Sequence, residues 1–137
     1  MVLLDSKRSY TSQDLEIFNL LQHPVWVFDI EQKAMFWANS VAVQLWKADS
    51  LSALLSRDFA SDLSEAAASR MRDHLTRFKR GETLKEMWTY YPEGKGATTL
   101  VVAASGIRIE GGRVAALAEA EMPDTHSFDD STVRGIE

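Results

Sequence analysis

Residues 25–46 read VWVFDIEQKAMFWANSVAVQLW: two short apolar runs, a polar turn between them, and a helix-capping pair behind. The stretch 24–30 (PVWVFDI) is β-branched and aromatic and too short for a globular helix, so it predicts a strand. Val25 and Val27 fall on one face of that strand, Trp26 and Phe28 on the other. A strand apolar on both sides expects cover on both sides. Glu31-Gln32-Lys33 then turns the chain into a second strand over 34–38 (AMFWA). Asp29, placed just before the turn, is read as its capping residue. Asn39 and Ser40 suit the N-cap of a short helix whose core contacts would be Val43, Leu45 and Trp46.

Upstream of this hairpin, Thr11 and Asp14 form a capping signal ahead of an apolar stripe, Leu15, Ile17, Phe18, Leu20 and Leu21. An amphipathic helix is expected over 11–22, ending by His23 because Pro24 disfavours α geometry in the residue before it. Residues 1–10 carry little pattern and are read as a flexible lead-in. Downstream, 49–60 predicts short turns with Leu51, Leu54, Leu55 and Phe59 directed inward. A long helix follows, capped by Ser61 or Asp62, with Leu63, Ala67, Met71, His74 or Leu75, and Phe78 at helical spacing. Arg77, Lys79 and Arg80 favour its negative end, and Gly81 supplies a left-handed stop. Three strands are then expected over 83–91, 98–110 and 113–120, joined by turns at Pro92-Glu93-Gly94 and Gly111-Gly112. Residues 122–137 turn acidic and polar and are read as a linker to a downstream domain. The order of elements implies an α+β fold, an antiparallel sheet with its helices largely on one face.

A chain of 137 residues with 45% hydrophobic and 26% charged residues suits one globular domain. No run approaches the roughly 18 apolar residues that a bilayer span needs, so no membrane insertion is expected. Asp5, Lys7 and Arg8 interrupt the apolar N-terminus before it could serve as a signal peptide. With no cysteine there is no disulfide framework, thiolate nucleophile or cysteine-based zinc site, and a reducing cytoplasm is the expected compartment. A net charge of −5 argues against general nucleic-acid binding, which depends on neutralising phosphates.

The first hairpin with its Asp29 and Asn39, the stretch RFKRGE at 77–82, and Tyr91-Pro92-Glu93-Gly94 together resemble the PAS family over most of the chain. The resemblance implies a five-stranded antiparallel sheet with helices between strands two and three, here spanning 11–121 with an N-terminal amphipathic helix. It also implies a sensory or dimerisation module within a multidomain signalling protein, a histidine kinase or a cyclic-nucleotide enzyme. Such a module would relay a ligand or association signal to a downstream domain. The rival reading is a small cavity enzyme or carrier of the nuclear transport factor 2-like class, whose helices come first in the chain.

The chemistry within that frame is sparse. Flavin photochemistry of the family's light-sensing branch needs a cysteine, which this chain lacks. A haem-binding member supplies a histidine from the long helix, but His74 falls about one turn later than that place and Met71 lies nearer it. Haem is therefore not expected, and the cofactor stays unassigned. His23 and His126 have no metal-like companions, so no metal site is expected. Asp29, Tyr90 and His74 could be nominated as catalytic, but no spacing requires them to meet, and no catalytic residue is assigned. Gly94-Lys95-Gly96 lacks the phosphate-loop pattern and reads as a hairpin turn. Arg70, Arg72, Arg77, Lys79 and Arg80 read as a solvated helix face.

Alanines at 103, 104, 115, 116, 118 and 120 leave room that either a ligand or the bulky aromatics could fill, with a small or filled cavity favoured. The expected walls of any pocket are Trp26, Phe28, Trp37, Trp46, His74 and Phe78. On the opposite, outer face, Val25 and Val27 together with Trp88 and Tyr90 need cover, for which the helix over 11–22 is the natural lid. That surface and helix predict a homodimer. At the end of the last strand, Glu119-Ala120-Glu121 stands where many family members carry an Asp-x-Thr junction.

Overall fold

The computed structural model describes residues 8–61, 63–91 and 96–121. Five strands, β1 (Val25–Asp29), β2 (Ala34–Ala38), β3 (Thr83–Tyr90), β4 (Thr98–Arg108) and β5 (Val114–Glu121), form one antiparallel sheet in the order β2-β1-β5-β4-β3. Three helices, α2 (Ser40–Leu45), α3 (Leu51–Leu55) and α4 (Glu65–Lys79), lie between β2 and β3 in the chain. The β4–β5 hairpin turns over Glu110, Gly111 and Gly112, closed by Ile109 N–H on Arg113 O and Gly112 N–H on Ile109 O, and both glycines take the positive φ that the turn requires. The turn expected at Pro92-Glu93-Gly94, the cap at Asp62 and the linker 122–137 lie outside the described residues.

Helix α4 begins one turn later than expected, because Ser64 caps it by accepting from the Ala67 N–H. Ser61 is held instead in a turn with Asp58. At its other end Gly81, with φ +83°, lets Gly81 N–H reach Phe78 O and Glu82 N–H reach Arg77 O, which ends the helix. The helix rests on β4 where Gly106 removes a side chain, since a Cβ there would sit 2.6 Å from Phe78 Cβ. Along its exposed side Arg70 pairs with Glu86, Arg72 with Glu65, and Arg77 and Arg80 with Glu82.

The N-terminal segment departs from the single α-helix expected over 11–22. Thr11 and Asp14 do form a reciprocal capping box, but α1 runs only Ser12–Leu15 and continues as a 3-10 helix over Glu16–Leu20. In the tighter helix, residues three apart align, so Leu15 and Phe18 descend together onto the sheet. The carbonyl of Phe18, which also closes the last 3-10 turn by accepting from Leu21 N–H, and that of His23, beyond the helix, accept from the Asn39 side chain.

The sheet separates two apolar layers. The inner layer, under α2 to α4, contains Trp26, Phe28, Met35, Trp46, Phe78, Leu84 and Leu100. The outer layer contains Leu15, Val25, Val27, Trp37, Ile107, Ile109 and Ala115, with Tyr10 and Phe18 against them. Two sequence-based placements are corrected here. Trp37, expected in the inner cavity, belongs to the outer layer because it pairs with Val27, and a β-bulge at Phe36 returns Met35 to the inner face opposite Phe28. Trp88 and Tyr90, expected on the outer face, point inward with Leu84 and Glu86, since the β3–β4 register sets Leu84 against Ala104 and Trp88 against Leu100.

Candidate ligand cavity

The alternation of β1 brings Trp26 and Phe28 to the inner face, and that of β3 brings Glu86, Trp88 and Tyr90. Helix α4 adds Met71, His74 and Phe78 from above, and Trp46 enters from the C-terminal end of α2. Between them lies a cavity of about 110 Å³. Ala104, Ala116 and Ala118 form part of its floor, and their small side chains leave this space open.

Five of the six residues nominated from sequence, Trp26, Phe28, Trp46, His74 and Phe78, line this one cavity, while Trp37 is on the far side of the sheet. Sequence reasoning missed Phe59, Glu86, Trp88 and Tyr90 as lining residues. The period-two pattern Leu84, Glu86, Trp88, Tyr90 was visible in β3, but pattern alone does not say which face of the sheet it meets.

The interior is an aromatic box. Trp26 meets Trp46 and Tyr90 edge-to-face at 5.8 and 5.6 Å, Trp46 meets Tyr90 at 4.9 Å, and Phe59 meets both Trp46 and Phe28 at 5.6 Å. Such contacts pair a ring's positive edge with its neighbour's negative face, each worth about 0.5–1.5 kcal/mol beyond the area buried. Burial pushes the Tyr90 phenol well above its ordinary pKa, so it stays a neutral hydroxyl. The Trp46 indole Nε1 is buried with no hydrogen-bond partner among the described residues.

The polar groups gather at one side of the box. Glu86 Oε1 receives His74 Nε2 at 2.8 Å, Trp88 Nε1 at 3.0 Å and an Arg70 guanidinium nitrogen at 3.0 Å. Arg70 also stacks over the Trp88 ring, 4.0 Å from its centroid. The Glu86 charge is therefore compensated within the wall itself. Because a carboxylate only accepts, neutral His74 must carry its proton on Nε2. Burial, more than any other influence, holds the His74 pKa below its ordinary value; Glu86 pulls the other way, and Arg70 adds to the depression.

That depression fixes a sign. Above the unfolded value, about 6.5, His74 is neutral in both states and the contribution to stability is complete. As pH falls below it, the unfolded chain takes up a proton that the folded chain resists, and stability is lost until pH passes through the depressed folded value. Urea midpoints at pH 8 and pH 5.5 should thus differ more for the native chain than for His74→Gln. Equal differences in the two proteins would show that His74 carries none of the acid sensitivity.

The nominated catalytic set does not assemble around this cavity. His74 and Tyr90 line it, but Asp29 is not among its walls. Asp29 accepts from the Gln32 N–H at 3.1 Å, as a turn cap, and from Arg113 Nε at 2.7 Å. Among the described residues no group of three His, Asp or Glu side chains is placed to hold a metal ion. No helix among them is long and apolar enough to cross a membrane.

A sheet ordered β2-β1-β5-β4-β3 with every inner helix between β2 and β3 is the PAS fold. The nuclear transport factor 2-like order, helices first, is not the order of this chain. Solved structures agree. The PAS domain of nitrogen regulation protein NR(II) from Vibrio parahaemolyticus matches with 18% identity and a TM-score of 0.57, over 78% of this chain and 94% of that one. The PAS domain of an HTR-like protein from Haloarcula marismortui matches at 18% identity and a TM-score of 0.59, over 80% and 89%. A LOV protein from Rhodobacter sphaeroides matches at 11% identity and a TM-score of 0.60, over 85% and 69%. No protein-family model matches the chain, and no curated protein sequence does.

Proposed function

We propose that this PAS-fold chain is a sensory relay module of a larger signalling protein, a histidine kinase or a cyclic-nucleotide enzyme. In this reading it takes a small ligand in the aromatic cavity and pairs with a second copy through its N-terminal segment and outer sheet face. The observation that carries the reading is the tie made by Asn39. Its Oδ1 accepts from Ala42 N–H at the start of α2, whose far end bears Trp46 in the cavity wall, and its Nδ2 donates to Phe18 and His23 carbonyls. A change at the cavity wall therefore has a direct mechanical route to the leading segment. That segment exposes Ile17 (65%), Leu20 (76%) and part of Leu21, an apolar ridge that a partner copy would cover. Solved relatives of similar fold include a domain of a sensory box histidine kinase/response regulator from Geobacter sulfurreducens, which supports the signalling context.

The association half is tested by sedimentation equilibrium. A dimer is expected at tens of micromolar. Ile17→Glu with Leu20→Glu should weaken it at least roughly tenfold, since two charges would lie in a buried apolar contact, while the circular dichroism spectrum is unchanged. A native chain that is monomeric throughout this range would remove the homodimer from the reading.

A further inference from the structure

We propose that the cavity is selective for a small neutral ring bearing one hydrogen-bond acceptor, held by the indole N–H of Trp46. This deepens the ligand-sensing reading above and rests on it. Size sets the first limit. The cavity, about 110 Å³, is smaller than the ~150 Å³ engineered cavity that takes up benzene and far below the ~300 Å³ at which drug-sized pockets begin. At most one six-membered ring suits that space; a haem or a flavin does not.

Charge sets the second limit. A cation would be drawn to an aromatic box with a carboxylate in its wall. Here, however, the carboxylate of Glu86 is already met by Arg70, His74 and Trp88, and Arg70 occupies the Trp88 face. An anion would have to displace Arg70 from Glu86 to find a counter-charge. A neutral guest disturbs neither arrangement.

The third limit comes from the unmet donor. Trp46 lines the cavity and is 94% buried, as only 6% of its surface is exposed, and its Nε1 has no partner among the described residues. A buried donor left unsatisfied costs roughly 1–3 kcal/mol, which a ligand acceptor would recover. Tyr90, neutral and in edge contact with Trp46 at 4.9 Å, closes the box beside it.

Pyridine and benzene are matched probes, equal in size and differing in one acceptor. Both are titrated at pH 7.5 into uniformly 15N-labelled native chain and Trp46→Phe, with tetramethylammonium and benzoate as charged controls. Pyridine should move one indole N–H resonance downfield, the one missing from Trp46→Phe. The substitution should weaken pyridine roughly tenfold more than benzene, since both probes lose the same wall surface and only pyridine loses a hydrogen bond. If pyridine binds the native chain without moving that resonance, or if both probes respond equally to Trp46→Phe, the acceptor assignment is wrong although the cavity is a ligand site. Tighter binding of tetramethylammonium or benzoate overturns the neutral class. If no probe binds at all, the ligand reading of the cavity falls with it. The resonance shift in the native chain decides the acceptor question even if Trp46→Phe does not fold.

Discussion

Asn39→Ala should lower the free energy of unfolding by about 3–5 kcal/mol, a large share of the ~5–15 kcal/mol that holds a domain of this size. Asn39 is fully buried and spends its whole hydrogen-bonding capacity on backbone. Oδ1 accepts from Val25 N–H at 3.1 Å and Ala42 N–H at 2.9 Å, and Nδ2 donates to the carbonyls of Phe18 at 2.9 Å and His23 at 3.1 Å. Alanine leaves the first turn of α2 uncapped, which by itself costs about 1 kcal/mol, and strands the buried donor of Val25. The two carbonyls lose partners as well, although the leading segment can shift to rehydrate them. Asn39→Asp separates these roles. It keeps acceptors for Val25 and Ala42 but places carboxylate oxygen against two carbonyls, so α2 should persist while the leading segment detaches. Urea unfolding measures the first effect, and faster hydrogen exchange at Leu21, whose N–H bonds Phe18 O, measures the second. An alanine variant within about 1 kcal/mol of the native chain would show that Asn39 joins these elements without stabilising them.

Trp37→Ala should be comparably severe, about 3–5 kcal/mol, as for other large-to-small changes in a packed core. The indole is fully buried in the outer layer, beside Phe18 with ring centroids 6.4 Å apart, and its Nε1 donates to Glu16 Oε2 at 3.2 Å. Truncation removes the ring that joins the leading helix to the sheet and leaves a void between them. Trp37→Phe keeps most of the apolar surface and forfeits the bond to Glu16, so a smaller loss of about 1–2 kcal/mol is expected. Both are read from urea midpoints by circular dichroism. Because Trp37 sits across the sheet from the cavity, the phenylalanine variant should bind pyridine as the native chain does. A Trp37→Phe variant that lost pyridine binding while remaining folded would contradict the separation of the two layers.

Much of this fold was legible because it is written in local chemistry. The Thr11 and Asp14 capping box, the Asn39 cap, the left-handed Gly81 and the Gly111-Gly112 turn each depend on residues within a few positions of one another. So does the Asp29 turn, whose carboxylate accepts from Gln32 three residues on. The cavity was partly legible for a related reason. Trp26 and Phe28 had to share a face, and His74 and Phe78 had to share a helix side.

The sequence by itself therefore determined the five strands, the long helix in outline, their order, and the antiparallel hairpins that lead to the PAS fold, but not the 3-10 form of the leading segment. Tertiary structure alone decided which face each strand presents to which layer. A strand's period of two is symmetric between its faces, so only the pairing register breaks the tie. The bulge at Phe36 and the pairing of Val27 with Trp37 turned that tryptophan outward, and the β3–β4 register turned Trp88 and Tyr90 inward. The Arg113 partner of Asp29, 84 residues away, and the convergence of His74, Trp88 and Arg70 on Glu86 are likewise products of packing. The unmet Trp46 N–H is another: no local pattern reports whether a buried donor finds an acceptor, because that depends on every element that closes around it.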